Sequence, residues 1–139
     1  MNISYSAIVL DENSRANLLG RLSDAIPNGW EIVAHHMTIT MGPLVHPRGK
    51  HDFSKVYPAG TTIDLPVTAV GQDKRAMAVQ VMAPALISKK TKFPHITIAV
   101  NRADGGKPFH SNKIPLENFE DISKWGLVLR GVVTEIPQV

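Results

Sequence analysis

Residues 35–41 read His-His-Met-Thr-Ile-Thr-Met, and residues 94–100 read Pro-His-Ile-Thr-Ile-Ala-Val. Both stretches alternate, and alternation marks a β-strand, in which residues i and i+2 share a face. In the first, His36, Thr38 and Thr40 fall on one face, with His35, Met37, Ile39 and Met41 on the other. In the second, His95, Thr97 and Ala99 oppose Ile96, Ile98 and Val100. The apolar sets belong to a core, so each His and Thr is turned towards something else.

Working outward, the first of these strands is predicted to run from Trp30 to Met41 and to stop at Gly42-Pro43. Before it, Ile3–Leu10 is β-rich and free of Gly and Pro, and reads as a strand. Asp11, Glu12, Asn13 and Ser14 then supply capping residues. Ala16, Leu18, Leu19, Leu22, Ala25 and Ile26 follow at helical spacing until Pro27-Asn28-Gly29, which predicts a helix of about three turns. Between the two motifs, residues 45–60 read as a long polar surface loop, and 61–70 and 75–82 as a hairpin turning at Gly71-Gln72-Asp73-Lys74. Residues 88–92 form a basic connector, 115–122 a short helix or turn, and 125–136 a last strand. One helix among many strands predicts an α+β domain.

The length, 139 residues, suits a single domain spanning 1–139. There is no Cys, which removes disulfides, Cys-based zinc sites and thiol nucleophiles. The longest apolar stretch, residues 76–87, is broken by Gln80 and Pro84 and falls short of the ~20 residues of a membrane helix. The first residues lack the pattern of a secretory signal. A soluble, cytoplasmic protein is the expectation, and a monomer is expected. The net charge of +3 favours anionic partners.

Six His in such a chain are the oddity, and two of them carry a pattern. His-apolar-Thr-Ile occurs at His36-Met37-Thr38-Ile39 and again at His95-Ile96-Thr97-Ile98. One copy on a half-exposed strand says little. Two copies, each with His and Thr on the face away from the core, suggest a duplicated lobe whose motif strands face one another across a cleft. The chemistry suits the pair: one neutral imidazole removes a proton while one imidazolium donates one. Thr hydroxyls two residues on can hydrogen-bond phosphate oxygens. A zinc site would want His-Glu-x-x-His spacing or acidic residues beside the motifs, and neither is present, so no metal and no cofactor are expected.

With both motifs in place, the chain resembles the 2H phosphoesterases, which include the LigT-like RNA 2′,3′-cyclic phosphodiesterases and the cyclic phosphodiesterase domains of tRNA ligases. The resemblance rests on the two tetrapeptides, whose second residues, Met37 and Ile96, are apolar as that family usually has them, and on the order of elements. It implies a bilobal fold of two antiparallel β-sheets facing a central cleft, with few outer helices. It also implies metal-independent hydrolysis of a 2′,3′-cyclic phosphate or a related 2′-linked ester. His36 and His95 would be the acid/base pair, and Thr38 and Thr97 the phosphate ligands. Residues 83–94 are too few for a long helix with its connections, so the second lobe is expected to be trimmed.

Other residues are weaker candidates. Lys92 with Lys89 and Lys90, and Arg48 with Lys50, would rim the cleft and attract a phosphodiester. Tyr5, Phe53, Tyr57 and Phe109 are placed to stack on a base; of all these, Tyr5 and Lys92 complete the expected substrate-binding set. Phe109-His110-Ser111-Asn112, after a Gly-Gly turn, is polar enough to contact a ligand. His35 is expected on the core side, and His46, His51 and His110 on surface loops. The substrate expected first is an RNA end or nucleotide bearing a 2′,3′-cyclic phosphate, as in RNA repair. Cyclic or 2′–5′-linked messengers of antiviral signalling, which phage anti-defence enzymes destroy, fit equally. A module that binds RNA ends or nucleotides without turnover is the non-enzymatic alternative.

Overall fold

Strand β1 (Ile3–Leu10) leads into helix α1 (Glu12–Leu22) through Asp11, whose side chain accepts the Ser14 N–H at 2.7 Å and so caps the helix. This computed structural model describes residues 2–83 and 93–139. Helix α1 buries Ser14, Leu18 and Leu22 on one side. It ends at Leu22 rather than at Ile26: the N–H groups of Ala25 and Ile26 both turn back to Leu22 O, because Pro27 disfavours a helical residue before it.

The strands that follow are β2 (Glu31–Ile32), β3 (His36–Met41), β4 (Thr62–Gln72), β5 (Ala76–Val81), β6 (His95–Val100), β7 (Phe119–Asp121) and β8 (Val128–Pro137). The α+β class and the antiparallel pairing are as the sequence predicts. The hairpin β4–β5 turns on Asp73, whose carboxylate accepts the N–H groups of Arg75 and Ala76. The last strand starts three residues later than predicted, because Ser123–Trp125 winds into a 3₁₀ turn ended by Gly126 at φ +64°.

The strands do not separate into two sheets. They form one continuous sheet in the order β2-β6-β3-β1-β8-β4-β5, and β5 pairs again with β6, so six strands close into a ring. Closure leaves β6 hydrogen-bonded on both sides, which protects a strand that would otherwise be a sticky edge. Two edges are shared in tandem: β2 and then β3 pair with one side of β6, and β8 and then β7 with one side of β4. At β3–β6 the ladder narrows to a single pair, Met37 with Ile96.

Met37, Ile39, Ile96 and Ile98 lie wholly buried in the main core with Ile8, Leu18, Leu65 and Leu129. A smaller cluster of Ala76, Ala78, Val100 and Ile114 packs elsewhere on the sheet. The segment 45–60 is not purely a surface loop: Val45 bridges Asp52, Phe53 packs on the core, and Tyr57 is fully buried. Tyr57 is therefore a core residue and not a stacking platform. Among the described residues no helix is long and apolar enough to cross a membrane. The trimmed connection predicted between β5 and β6 falls mostly on residues outside those described.

Candidate active site

The site begins with a break in the ladder. Glu31 pairs with Val100, Ile32 with Ala99, and the N–H groups of Val33 and Ala34 continue to Ile98 O and Thr97 O. The next pair is already Met37 with Ile96, so His35 and His36 have no counterparts on β6 and form a two-residue bulge. Bulges re-aim side chains and recur beside active sites. This one turns on Ala34, whose φ of +42° is left-handed for a residue that is not Gly, at a cost of about 1–2 kcal/mol. Ala34 is held there by complete burial, by its N–H on Thr97 O at 2.9 Å, and by Arg15 Nε donating to its carbonyl at 3.1 Å.

Beyond the bulge, antiparallel pairing counts the two motifs in opposite directions. Stepping from Met37–Ile96 puts Thr38 on the His95 side and His36 on the Thr97 side. All four side chains leave the sheet on the face opposite Met37 and Ile96, and all four line one cavity of about 380 Å³. Diagonal neighbours in such a ladder stand roughly 7–8 Å apart, a gap that a tetrahedral phosphate fills. Tyr5, Val33, Met41, Pro108, Phe109 and Asn112 complete the lining.

Each imidazole is anchored through Nδ1. His95 Nδ1 lies 3.0 Å from Phe93 O, and since a carbonyl only accepts, Nδ1 carries the proton. Neutral His95 then has a bare Nε2, the form of a general base. His36 Nδ1 lies 2.9 Å from His35 Nδ1, with one nitrogen donating to the other. Burial disfavours the charged form of His36 and, with the neighbouring His35 and His95, lowers its pKa to about 4. Burial also lowers the pKa of His95, partly offset by the Phe93 carbonyl, which favours the imidazolium. Both rings are poised neutral at pH 7.

The two Thr differ. Among the described residues the Thr38 hydroxyl has no partner, and it is half-buried at the cavity wall. Thr97 is buried: its hydroxyl reaches Pro108 O at 3.3 Å and Ser111 Oγ at 2.8 Å. The Pro108 carbonyl only accepts, so the Thr97 hydroxyl donates to it and accepts from the Ser111 hydroxyl. Thr97 thus fastens the 3₁₀ segment Pro108–Lys113 against β6, and that segment brings Phe109 and Asn112 into the cavity. The polar stretch after Gly105-Gly106 was the sequence signal for both. The Asn112 Oδ1 is buried with no hydrogen-bond partner among the described residues.

Tyr5 packs its ring on His36, centroids 5.0 Å apart. Lys92, with Lys89 and Lys90, lies outside the described residues. Arg48 and Lys50 are exposed but do not line the cavity. Three further expectations are corrected. His35 is exposed rather than on the core side, because the bulge at Ala34 breaks the alternation. Thr40 is buried and Met41 is 61% exposed on the cavity, because a second bulge, at Ile39, reverses the alternation: Ala7 pairs with Thr38 but Ser6 with Thr40. His110 is buried, its Nδ1 accepting the Lys107 N–H at 2.9 Å, a structural role.

No protein-family model and no curated protein matches the chain. What the site can do therefore rests on its own geometry: two neutral imidazoles and the Thr38 hydroxyl, which has no partner among the described residues, converge on a largely apolar cavity, an arrangement able to move two protons at an anion.

Proposed function

We propose that the chain is a phosphodiesterase of the 2H type that opens 2′,3′-cyclic phosphates on RNA ends or nucleotides by His/His acid–base catalysis, without a metal. The observation that carries this reading is the Met37–Ile96 pair, which turns two distant His-x-Thr motifs into one quartet around one cavity. His95 Nε2 takes a proton from water as the water oxygen bonds to phosphorus. The bond from phosphorus to one ribose oxygen breaks, and that oxygen receives a proton from His36 Nε2. Thr38 donates to a phosphate oxygen, and Thr97 holds the wall that carries Phe109 and Asn112.

On this reading the narrow β3–β6 junction is the seam between two lobes, each contributing one motif strand. The sheet is continuous through that seam, where the family plan has two sheets. A role in RNA repair within the cytoplasm, as a monomer, is the setting that fits.

Product analysis tests the reading. The protein would be incubated with 2′,3′-cyclic nucleotides, 2′–5′ and 3′–5′ oligonucleotides and cyclic dinucleotides. Conversion of the first group to a phosphomonoester is expected. Turnover confined to the oligonucleotides or cyclic dinucleotides would point to a signalling messenger as substrate, and binding without turnover to a non-catalytic module.

A further inference from the structure

The hydrolysis needs an imidazole that delivers a proton, and His36 is poorly placed to store one. Burial keeps its pKa near 4, so at neutral pH it carries a single proton. Beside it stands His35, outside both motifs, exposed to solvent, with its Nδ1 2.9 Å from His36 Nδ1 and the rings edge-on at 82°. Consecutive residues of a regular strand point to opposite faces and cannot meet this way. They meet here because Ala34 is held at φ +42° and the ladder skips both His.

We propose that His35 is a positioning residue that loads His36 with its proton: His35 Nδ1–H is passed to His36 Nδ1 as His36 releases its Nε2 proton to the departing ribose oxygen. The proposal rests on the phosphodiesterase reading. Protons balance within the turnover. His95 gains one from water, the leaving oxygen gains one from His36, and His36 regains one from His35 Nδ1 as the exposed His35 ring takes one from solvent at Nε2. Solvent then takes the surplus proton from His95.

Two features fix the direction of the His35–His36 bond. First, the His95 Nδ1–H is committed to Phe93 O, so His95 already presents a lone pair at Nε2. A second lone pair from His36 would set two acceptors against an anion, whereas the tautomer with Nε2–H supplies a donor. That tautomer requires His36 Nδ1 to accept from His35. Second, His35 is exposed and can exchange its proton with solvent, while the His36 ring faces the cavity and cannot do so as readily. Among the described residues, the other titratable groups packed here are Tyr5 from β1, on the His36 ring, Arg15 from α1, on the Ala34 carbonyl, and His95 from β6.

The test compares wild type, His35→Ala and His35→Gln on 2′,3′-cyclic AMP and on bis-p-nitrophenyl phosphate, whose leaving group departs as an anion without protonation. Both variants are expected to lower kcat on the cyclic nucleotide on the order of 10²-fold with KM unchanged, and to slow the nitrophenyl diester far less. Gln can still donate a hydrogen bond to His36 Nδ1 but cannot hand over a proton. Equal losses on the two substrates, or full rescue by His35→Gln, would overturn the relay. Wild-type protein that turns over neither compound overturns the phosphodiesterase reading and the relay with it. An active wild type with an indifferent His35→Ala overturns the relay alone. Nitrogen-15 NMR of the imidazoles, with the wild-type protein saturated in inorganic phosphate, gives a readout independent of turnover. A bare Nδ1 on His36 is expected, and a protonated Nδ1 with a bare Nε2 contradicts the proposal.

Discussion

Met37 and Ile96 face each other across the β3–β6 ladder, and this pair aligns two motifs that are 59 residues apart in the chain. Both side chains are wholly buried, so the core fixes the register. A slip of either strand by one residue would turn that strand's His and Thr inward and break up the quartet. The hydrophobic core and the placing of the four His and Thr side chains around the cavity are therefore set by the same contact. Ile96→Ala is expected to cost about 2–5 kcal/mol of stability, read by urea unfolding, and to lower activity in the fraction that remains folded.

The buried imidazoles make stability depend on pH. The His36 pKa falls from 6.5 in the unfolded chain to about 4 in the folded one, because burial penalises its charge. Between those values the unfolded state binds the extra proton and the folded state does not, so stability rises with pH. It is expected to drop as pH falls from about 6.5 towards 4 and then to level, by an amount of order 3 kcal/mol. Urea unfolding of wild type and His36→Gln at pH 7 and pH 4.5 checks this. The variant should lose most of that difference, and an unchanged pH dependence would contradict the assignment.

Thr38 and Thr97 should separate under the same substitution. Thr97→Val removes a buried hydroxyl and leaves Ser111 Oγ and Pro108 O short of a partner, at about 1–3 kcal/mol. Thr38→Val removes a hydroxyl that has no partner among the described residues. Thermal melts are expected to show a lower Tm for Thr97→Val and an unchanged one for Thr38→Val. Steady-state kinetics should show the reverse emphasis, with Thr38→Val losing kcat.

Phe109 is half exposed, at 50%, on the cavity wall. Stacking of a base on an aromatic ring is worth about 1–3 kcal/mol, so Phe109→Ala is expected to raise KM for a 2′,3′-cyclic nucleotide by roughly 5- to 150-fold on the same scale. A small cyclic phosphate lacking a base should be indifferent to the change. Equal loss on both would show that Phe109 shapes the wall rather than touching a base.

Much of this was legible in the sequence. The bounds of β1 and β6, the Asp11 cap, the hairpin at Asp73 and the alternation of His95-Ile96-Thr97-Ile98 all follow from local propensity and period. So does the placing of His36 and His95, out of six His, on strand faces turned from the core, where both line the cavity. The parts that escaped are departures from period. Ala34 adopts a backbone angle that its side chain gives no reason to expect, and the bulge at Ile39 shifts Met41 to the cavity and Thr40 to the interior. Closure of the sheet through β5–β6 is a long-range pairing with no local signature. His35 departs from its expected place for the same reason: strict alternation assigns it to the core, and only the tertiary contacts on Ala34 carry it to His36.

The central claim is that two imidazoles, one from each motif, share one reaction. Its most direct test is the hydrolysis rate of a 2′,3′-cyclic nucleotide by wild type, His36→Ala, His95→Ala and the double variant, each confirmed folded by its circular dichroism. Each single variant is expected to lose about 10²–10⁴-fold in kcat, and the double variant little more than either single one, because the pair acts as a unit. Near-wild-type turnover by either single variant would contradict the account.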